Sequence, residues 1–316
     1  MGKSDFRPET RNRFSLVRLL FLVYIRPDLI GTFFLNTMIN FNGSIASNEA
    51  NLLTNNRGFL YGDAVFETIK IVKSKILFLE DHYFRLMSSM RIVRMEIPMN
   101  FTMEYLEEQI LNLVKAKSLE NSARARITVF RNDGGYYLPQ NNSISYLITA
   151  EAIENAPYSI IQKEYVVDLY TDFYVTKQLL SSIKTTNKIL NITASIYASE
   201  NDLDNCLLLN DSKNVIEALQ GNIFMLKGDT LVTPPVSEGC LNGVMRKQIL
   251  SLAKTVDKLE VVEEVISPFD LQKADELFVT NVIKGIQPIT KYRKKMYSTD
   301  FSKLLVQKLN DTINWI

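Results

Sequence analysis

Histidine and cysteine are almost missing from this chain. Its 316 residues contain one histidine, His82, and two cysteines, Cys206 and Cys240. A single histidine excludes metal centres built on two or three imidazoles, and any histidine-based triad would have to use His82. Two cysteines cannot form a disulfide scaffold or a cysteine-rich zinc site, and they fit a reducing compartment such as the cytoplasm. No metal site is expected. Charge of one sign is lacking too, since 36 Lys and Arg stand against 35 Asp and Glu, a net of +1. That balance gives no global field for gripping nucleic acid or an anionic membrane, and neither is expected as a partner. Long apolar runs are also absent. The run Leu19–Ile25 is far below the ~20 residues a membrane-spanning helix needs. If this is an enzyme, carboxylates, lysines, hydroxyls or a cofactor must carry the chemistry.

What is present is an ordinary globular composition, 46% apolar and 22% charged. At ~100–200 residues per domain, the length suggests about two domains, or one large one. The first 37 residues differ from the rest. The stretch 11–35 mixes arginines with apolar residues and is broken by Arg18, Arg26, Pro27 and Asp28, with no small-residue cleavage pattern after it. We expect residues 1–37 to be an extension outside the fold and Met38 to be the natural start.

From Met38 the pattern becomes regular. Ile39–Ile45 reads as a short strand with an Asn-Gly turn signal, and Ala64–Val72 with Lys75–Leu79 reads as a hairpin. His82–Met95, with Asp81 as N-cap, and Met103–Ala116 show helical periodicity. Ala123–Phe130 and Ser145–Ala150 read as strands flanking a loop rich in Gly, Asn and Pro. The polar segment Glu151–Ser159 is the candidate linker, giving a small α+β domain over 38–152 and a larger one over 153–316. In the second part, strands are expected at Tyr165–Tyr170, Cys206–Leu209, Val215–Leu219, Asn222–Leu226, Leu231–Thr233, Leu259–Ile266 and Leu277–Asn281. Helices are expected at Asn187–Ser199, Gly243–Ala253 and Phe301–Asn310. Such strand content suggests a barrel-like or strongly curved sheet.

Four places could carry chemistry. Arg57–Thr68 (RGFLYGDAVFET) puts Glu67 inside an apolar strand, where a carboxylate needs a partner. Glu80–Leu86 (EDHYFRL) sets His82 and Arg85 on one helix face, and an arginine there could grip a phosphate bidentately. Ser181–Asn191 (SSIKTTNKILN) offers lysines with apolar neighbours, where a depressed pKa would leave a nucleophilic amine able to condense with an aldehyde. Composition alone does not choose among Lys177, Lys184 and Lys188. The stretch from Glu217 to Arg246 holds a second carboxylate in an apolar strand and a helix start whose free Val244 and Met245 amides would form an anion site. No P-loop pattern is present, so the anion is not held as in nucleotide enzymes of that type. A lysine amine, an isolated carboxylate, an arginine and a helix N-terminus are what pyridoxal 5′-phosphate requires.

The ordered set RGFLYGDxVFET, EDHxxRL, KxxN, ExxxxNIF, TP, NGVMR and DELFVTN resembles the class IV aminotransferases, the fold-type IV pyridoxal-phosphate enzymes. The likeness runs from about Met38 to about Asn310. It implies an α+β fold of two domains, a small N-terminal one and a larger barrel-like one, with the cofactor between them and usually a homodimer. It further implies that Lys184 is the Schiff-base lysine and that Glu217 partners the pyridine nitrogen. Arg85 with the Val244 and Met245 amides would hold the phosphate, and Asn222 would line the cofactor's surroundings. Phe66 and Arg131 would lie on the substrate side, and His82 would orient the helix and the phosphate end. The substrate would be a small amino-acid-like molecule. Within the family, Ile189-Leu190 stands where branched-chain enzymes carry a tyrosine. The loop NDGGYYLP lacks the arginine and histidine of D-amino-acid enzymes, and Val282 stands where several transaminases carry threonine. These departures, with Asn242–Arg246 and Gly134-Gly135, point toward 4-amino-4-deoxychorismate lyase, which makes 4-aminobenzoate and pyruvate for folate synthesis; the alternative is an amino-acid transaminase. A catalytically inactive binding protein of the same fold is disfavoured by the presence of Lys184, Glu217 and Arg85.

Overall fold

The structure, a computed structural model, describes residues 38–47, 55–154, 157–160 and 162–313. Residues 1–37, expected to be an extension, lie outside the described residues.

The first half is a six-stranded antiparallel sheet with two helices on one face. Its strands are β1 (Met38–Phe41), β2 (Ser44–Ser47), β3 (Ala64–Val72), β4 (Lys75–Ile76), β5 (Ser122–Arg131) and β6 (Ile144–Ala152), in the order β2-β1-β6-β5-β3-β4. The expected single strand over 39–45 is instead the β1–β2 hairpin, because Asn42 and Gly43 both take positive φ, 48° and 89°. A two-residue turn of that kind reverses the chain. A short helix, α1 (Arg57–Tyr61), precedes β3 and was not legible as one. The helices α2 (Leu79–Ile92) and α3 (Met103–Ala116) cover the sheet.

Period-two alternation decides what each face of this sheet does. Ala123, Ala125, Ile127 and Val129 of β5 join Val65, Ile69 and Ile71 of β3 in the core beneath α2 and α3. Phe66, Thr68 and Lys70 therefore face the other way. They lie directly opposite Thr128, Arg126 and Arg124 in the β3–β5 ladder. The second face of the small sheet is thus lined with cations and turned toward the second half.

That half is a ten-stranded mixed sheet: β7 (Val166–Val175), β8 (Asn205–Asn210), β9 (Val215–Ala218), β10 (Gly221–Lys227), β11 (Thr230–Thr233), β12 (Glu260–Glu263), β13 (Glu276–Asn281), β14 (Gly285–Ile289), β15 (Lys291–Tyr292) and β16 (Lys295–Met296). It branches at β10, which pairs with β9, β11 and β13. The helices are α4 (Ile189–Glu200), α5 (Val244–Ala253), the single turn α6 (Pro268–Leu271) and α7 (Asp300–Thr312). An apolar cluster built on Phe224, Phe278, Val244, Ile249 and Leu305 packs α5 and α7 against the sheet. Val72 and Leu77 of the first half belong to the same cluster, so the two halves share core.

Candidate active site

Between the two sheets lies a cavity of about 390 Å³ that receives Phe66, Arg85, Lys184, Glu217, Asn222, Val244 and Met245. Of the eight residues singled out from sequence, these seven meet there. Lys184 sits in an extended segment knitted onto β3 by backbone bonds, Phe66 N–H to the Lys184 carbonyl at 2.8 Å and Thr186 N–H to the Ala64 carbonyl at 3.0 Å. Its amine lies 4.8 Å from the centre of the Phe66 ring. Burial, reinforced by the Arg85 guanidinium, lowers that amine from 10.5 to about 8, so about a tenth of it is neutral near pH 7. The competing lysines separate by position. Lys177 points to the surface and pairs with Glu238 at 3.5 Å, whereas Lys188 also lines the cavity.

Glu217 stands on β9 directly opposite Asn222 on β10. Its Oε2 accepts the Leu241 amide at 2.9 Å while the Asn222 side-chain amide donates to the Leu241 carbonyl at 2.8 Å. The peptides on both sides of Leu241 are thus pinned, and this residue leads straight into α5. Burial raises the Glu217 pKa; the Leu241 amide and then the amines of Lys188 and Lys184 oppose that rise. A carboxylate held this way is suited to share a proton with a ring nitrogen. Gly243 caps α5 without a side-chain oxygen, leaving the first amides of the helix free for an anion.

Arg85 is more constrained than the sequence suggested. Its guanidinium binds Glu67 bidentately at 2.7 and 2.6 Å and donates to the Asn242 carbonyl at 2.9 Å. His82, completely buried, meets the same carboxylate through Nδ1 at 2.7 Å. This is the partner that Glu67 requires. Burial would raise the Glu67 pKa, but the Arg85 charge and the bonds from His82 and Arg85 outweigh it and hold the group at about 2. Burial lowers the pKa of His82, so the ring is neutral and donates from Nδ1, leaving Nε2 without a partner. Asp81 does not cap α2; the N-cap is Phe78, with φ 56°. Asp81 instead reaches across to Lys247 and, at 2.6 Å, to Gln248 on α5.

Arg131 is the exception among the expected residues. It continues the odd-numbered row of β5, so its side chain runs toward the end of α2 and away from Lys184. There it is buried, donating to Asp63 Oδ2 at 2.9 Å, Asn142 Oδ1 at 2.5 Å and the carbonyls of Val93 and Arg94. It borders a different cavity of about 610 Å³ that also reaches Lys188, Asn191 and Glu217. The arginines that do face Lys184 are the even-numbered Arg124 and Arg126. Arg126 stacks on Phe66 at 3.7 Å. The alternation ARARI carried that signal. Thr280, opposite Asn222 in the β10–β13 ladder, also lines the cavity, and its buried hydroxyl has no hydrogen-bond partner. The turn after β13 closes the wall with Asn281, Val282, Ile283 and Lys284. Asn281 Oδ1 accepts the amides of Ile283 and Lys284 at 3.1 and 2.9 Å.

A buried amine with a lowered pKa, a carboxylate at one wall, and an arginine beside an uncapped helix start define a pyridoxal-phosphate type of site. The unpartnered Thr280 hydroxyl and the free α5 amides fit a phosphate-bearing group. Residues 64–292 match the family Amino-transferase class IV, and the chain belongs to it. It is therefore a pyridoxal-phosphate enzyme of fold type IV, an aminotransferase or lyase. A protein of Methanocaldococcus jannaschii named "Putative branched-chain-amino-acid aminotransferase" is 29% identical over 278 residues, covering 86% of this chain and 95% of that one. A D-alanine aminotransferase of Staphylococcus haemolyticus is 24% identical over 81% of this chain and 89% of its own length. The branched-chain aminotransferase of Thermoproteus uzoniensis superposes with a TM-score of 0.77 at 21% identity, over 87% of this chain and 93% of that one. A Legionella pneumophila protein named "Putative 4-amino-4-deoxychorismate lyase" does so with a TM-score of 0.71 at 23% identity, over 81% and 93%. At these identities the superpositions speak for the fold alone.

Proposed function

We propose that this protein is an amino-acid transaminase, passing an amino group to a 2-oxo acid, with Lys184 as its catalytic residue. The observation that carries this reading is the Lys184 amine, buried and with its pKa lowered, in the cavity that also receives Glu217 and the start of α5. Arg85 and the Val244 and Met245 amides hold the cofactor's phosphate, Glu217 faces the pyridine nitrogen, and Asn222 keeps the loop before α5 in place. Pyridoxal phosphate, when bound, supplies an aldehyde that exchanges amines and a ring that accepts the electron pair left at the substrate's Cα. With the cofactor in place, the Lys184 amine would take the proton from the substrate's Cα and hold it for return to the carbon that came from the cofactor's aldehyde. Phe66 packs on the substrate side. The Ile283 and Lys284 amides receive the substrate's α-carboxylate, displacing Asn281, and Arg124, Arg126 and Lys284 make the mouth cationic enough for a second carboxylate.

Relatives named as aminotransferases, matched over most of their length, favour this reading over a lyase. The lyase reading keeps three specific supports. Val282 lines the cavity where several transaminases carry a threonine, and the Asn242–Arg246 and Gly134-Gly135 motifs resemble the lyases. Offering aminodeoxychorismate and, separately, branched-chain or D-amino acids with 2-oxoglutarate decides between them. Glutamate formation with an amino acid supports transamination; pyruvate and 4-aminobenzoate without an amino acceptor overturn it.

The reading includes a small domain over 38–152, a large one over 153–316, and a homodimer. Phe59, Leu60, Tyr61, Tyr136, Tyr137 and Leu138 are exposed, with the Tyr61 and Tyr137 rings 5.9 Å apart, which supports a protein-covered face. It also includes the cytoplasm, where two buried free thiols stay reduced. Among the described residues no helix is long and apolar enough to cross a membrane.

A further inference from the structure

The turn that closes the cavity is held from behind by two side chains that no step above uses. Lys70 follows Phe66 and Thr68 on the cavity-facing side of β3 but lies deeper, with no exposed surface. Its ammonium donates to the Ile283 carbonyl at 3.2 Å and sits 4.0 Å from the centre of the Tyr158 ring. The Tyr158 hydroxyl donates to the neighbouring carbonyl, that of Val282, at 2.6 Å. Tyr158 is itself fixed at both ends of its backbone by Asn310, whose Oδ1 accepts its amide at 3.0 Å and whose Nδ2 donates to its carbonyl at 2.8 Å. Gly285 allows the ring to lie against the turn. It has φ 74°, and a Cβ there would come within 2.8 Å of the Tyr158 ring.

Planar peptides give this arrangement a consequence. In a trans peptide the carbonyl of one residue and the amide of the next point in opposite directions. Drawing the Val282 and Ile283 carbonyls onto Tyr158 and Lys70 turns the Ile283 and Lys284 amides the other way. Those two amides are the pair that converge on Asn281 Oδ1. A buried ammonium hydrogen-bonded to a carbonyl and stacked on an aromatic ring is a strong, rigid contact. It also ties the small sheet to the 281–284 turn, far apart in sequence.

We propose that Lys70 and Tyr158 form a clamp across the two halves of the molecule that presets the 281–284 turn to receive the substrate's carboxylate. They are positioning residues that touch no substrate, and the proposal rests on the reading of the turn given above. Lys70→Met, Lys70→Arg and Tyr158→Phe test it in the pyridoxal-phosphate-loaded enzyme, Tyr158→Phe covering the case in which Lys70→Met does not fold. Amide exchange of the 281–285 segment, measured without substrate, should quicken about tenfold in Lys70→Met and Tyr158→Phe, the factor for one lost hydrogen bond of this strength. Lys70→Arg should restore it. KM for the amino acid should rise by a similar factor in the same two variants while kcat stays within about twofold, since the groups around Lys184 are untouched. Unchanged exchange in this segment, in variants that fold, overturns the clamp. Faster exchange with unchanged KM defeats the assignment of the turn to the carboxylate and with it the clamp's role in catalysis.

Discussion

At the scale of single residues, the site is organised by shared carboxylates. Glu67 is bound at once by Arg85 and His82, and Glu217 orders the loop before α5 through one backbone amide. Because the folded protein holds Glu67 at about 2 against an ordinary 4.5, it takes up the proton less readily than the unfolded chain does. The stabilisation is therefore complete above about pH 4.5 and disappears as pH falls toward 2. Glu67→Gln should lose about 3 kcal/mol at pH 6, because it leaves Arg85 without its buried partner. The gap to wild type should close in urea melts taken at successively lower pH; a gap that stays constant with pH would show that Glu67 is not ionised in the fold. The need for such a partner was legible, since a carboxylate stood in an apolar strand. Its identity was not, because Arg85 was assigned wholly to phosphate from its motif. Arg131 lies elsewhere than expected for a simple reason: parity along β5 sends it to the helix side, beside the neighbouring cavity, and brings Arg126 to the cavity that holds Lys184.

At the scale of elements, long periodic segments were legible and chain reversals were less so. The helix Met103–Ala116 and the strands of β5, β6, β8 and β13 follow directly from period. The start of α2 does not, because its N-cap is Phe78 in a left-handed conformation with no side-chain cap bond, a geometry that no residue preference signals. The two-residue strands β15 and β16 and the α1 turn lie below the length at which period can be read, and Pro288 hides β14. The approach into α5 carries its own test. A Cβ on Gly243 would come within 2.0 Å of Asn222 Oδ1, displacing the side chain that holds the Leu241 carbonyl. Gly243→Ala should therefore cost about 1–3 kcal/mol of stability. Fluorescence titration of the apoenzyme should show weaker pyridoxal-phosphate binding, by about tenfold for one misplaced hydrogen-bonding loop. Wild-type affinity in this variant would show that the loop's position does not matter to the phosphate.

At the scale of the whole molecule, the cavity exists because two sheets of different origin share it. The small sheet contributes Phe66, Arg124 and Arg126, and the large one contributes Glu217, Asn222 and Thr280. Bonds across the boundary surround the cavity: Asp81 to Gln248, Arg85 to the Asn242 carbonyl and Phe66 to the Lys184 carbonyl. In the proposed homodimer, a second copy of the chain would cover the exposed aromatic loop 136–138 and the exposed face of α1. Sedimentation should give twice the 36.2 kDa of the chain, and Tyr137→Glu should shift the protein toward monomer; a monomer at micromolar concentration would exclude the dimer. The central claim is that Lys184 carries the cofactor, and borohydride reduction of the yellow holoenzyme followed by peptide mass mapping tests it most directly. A stable pyridoxyl mass on the peptide containing Lys184 and on no other is expected. A label on Lys188 or Lys177 in place of Lys184, or no label at all, would contradict it.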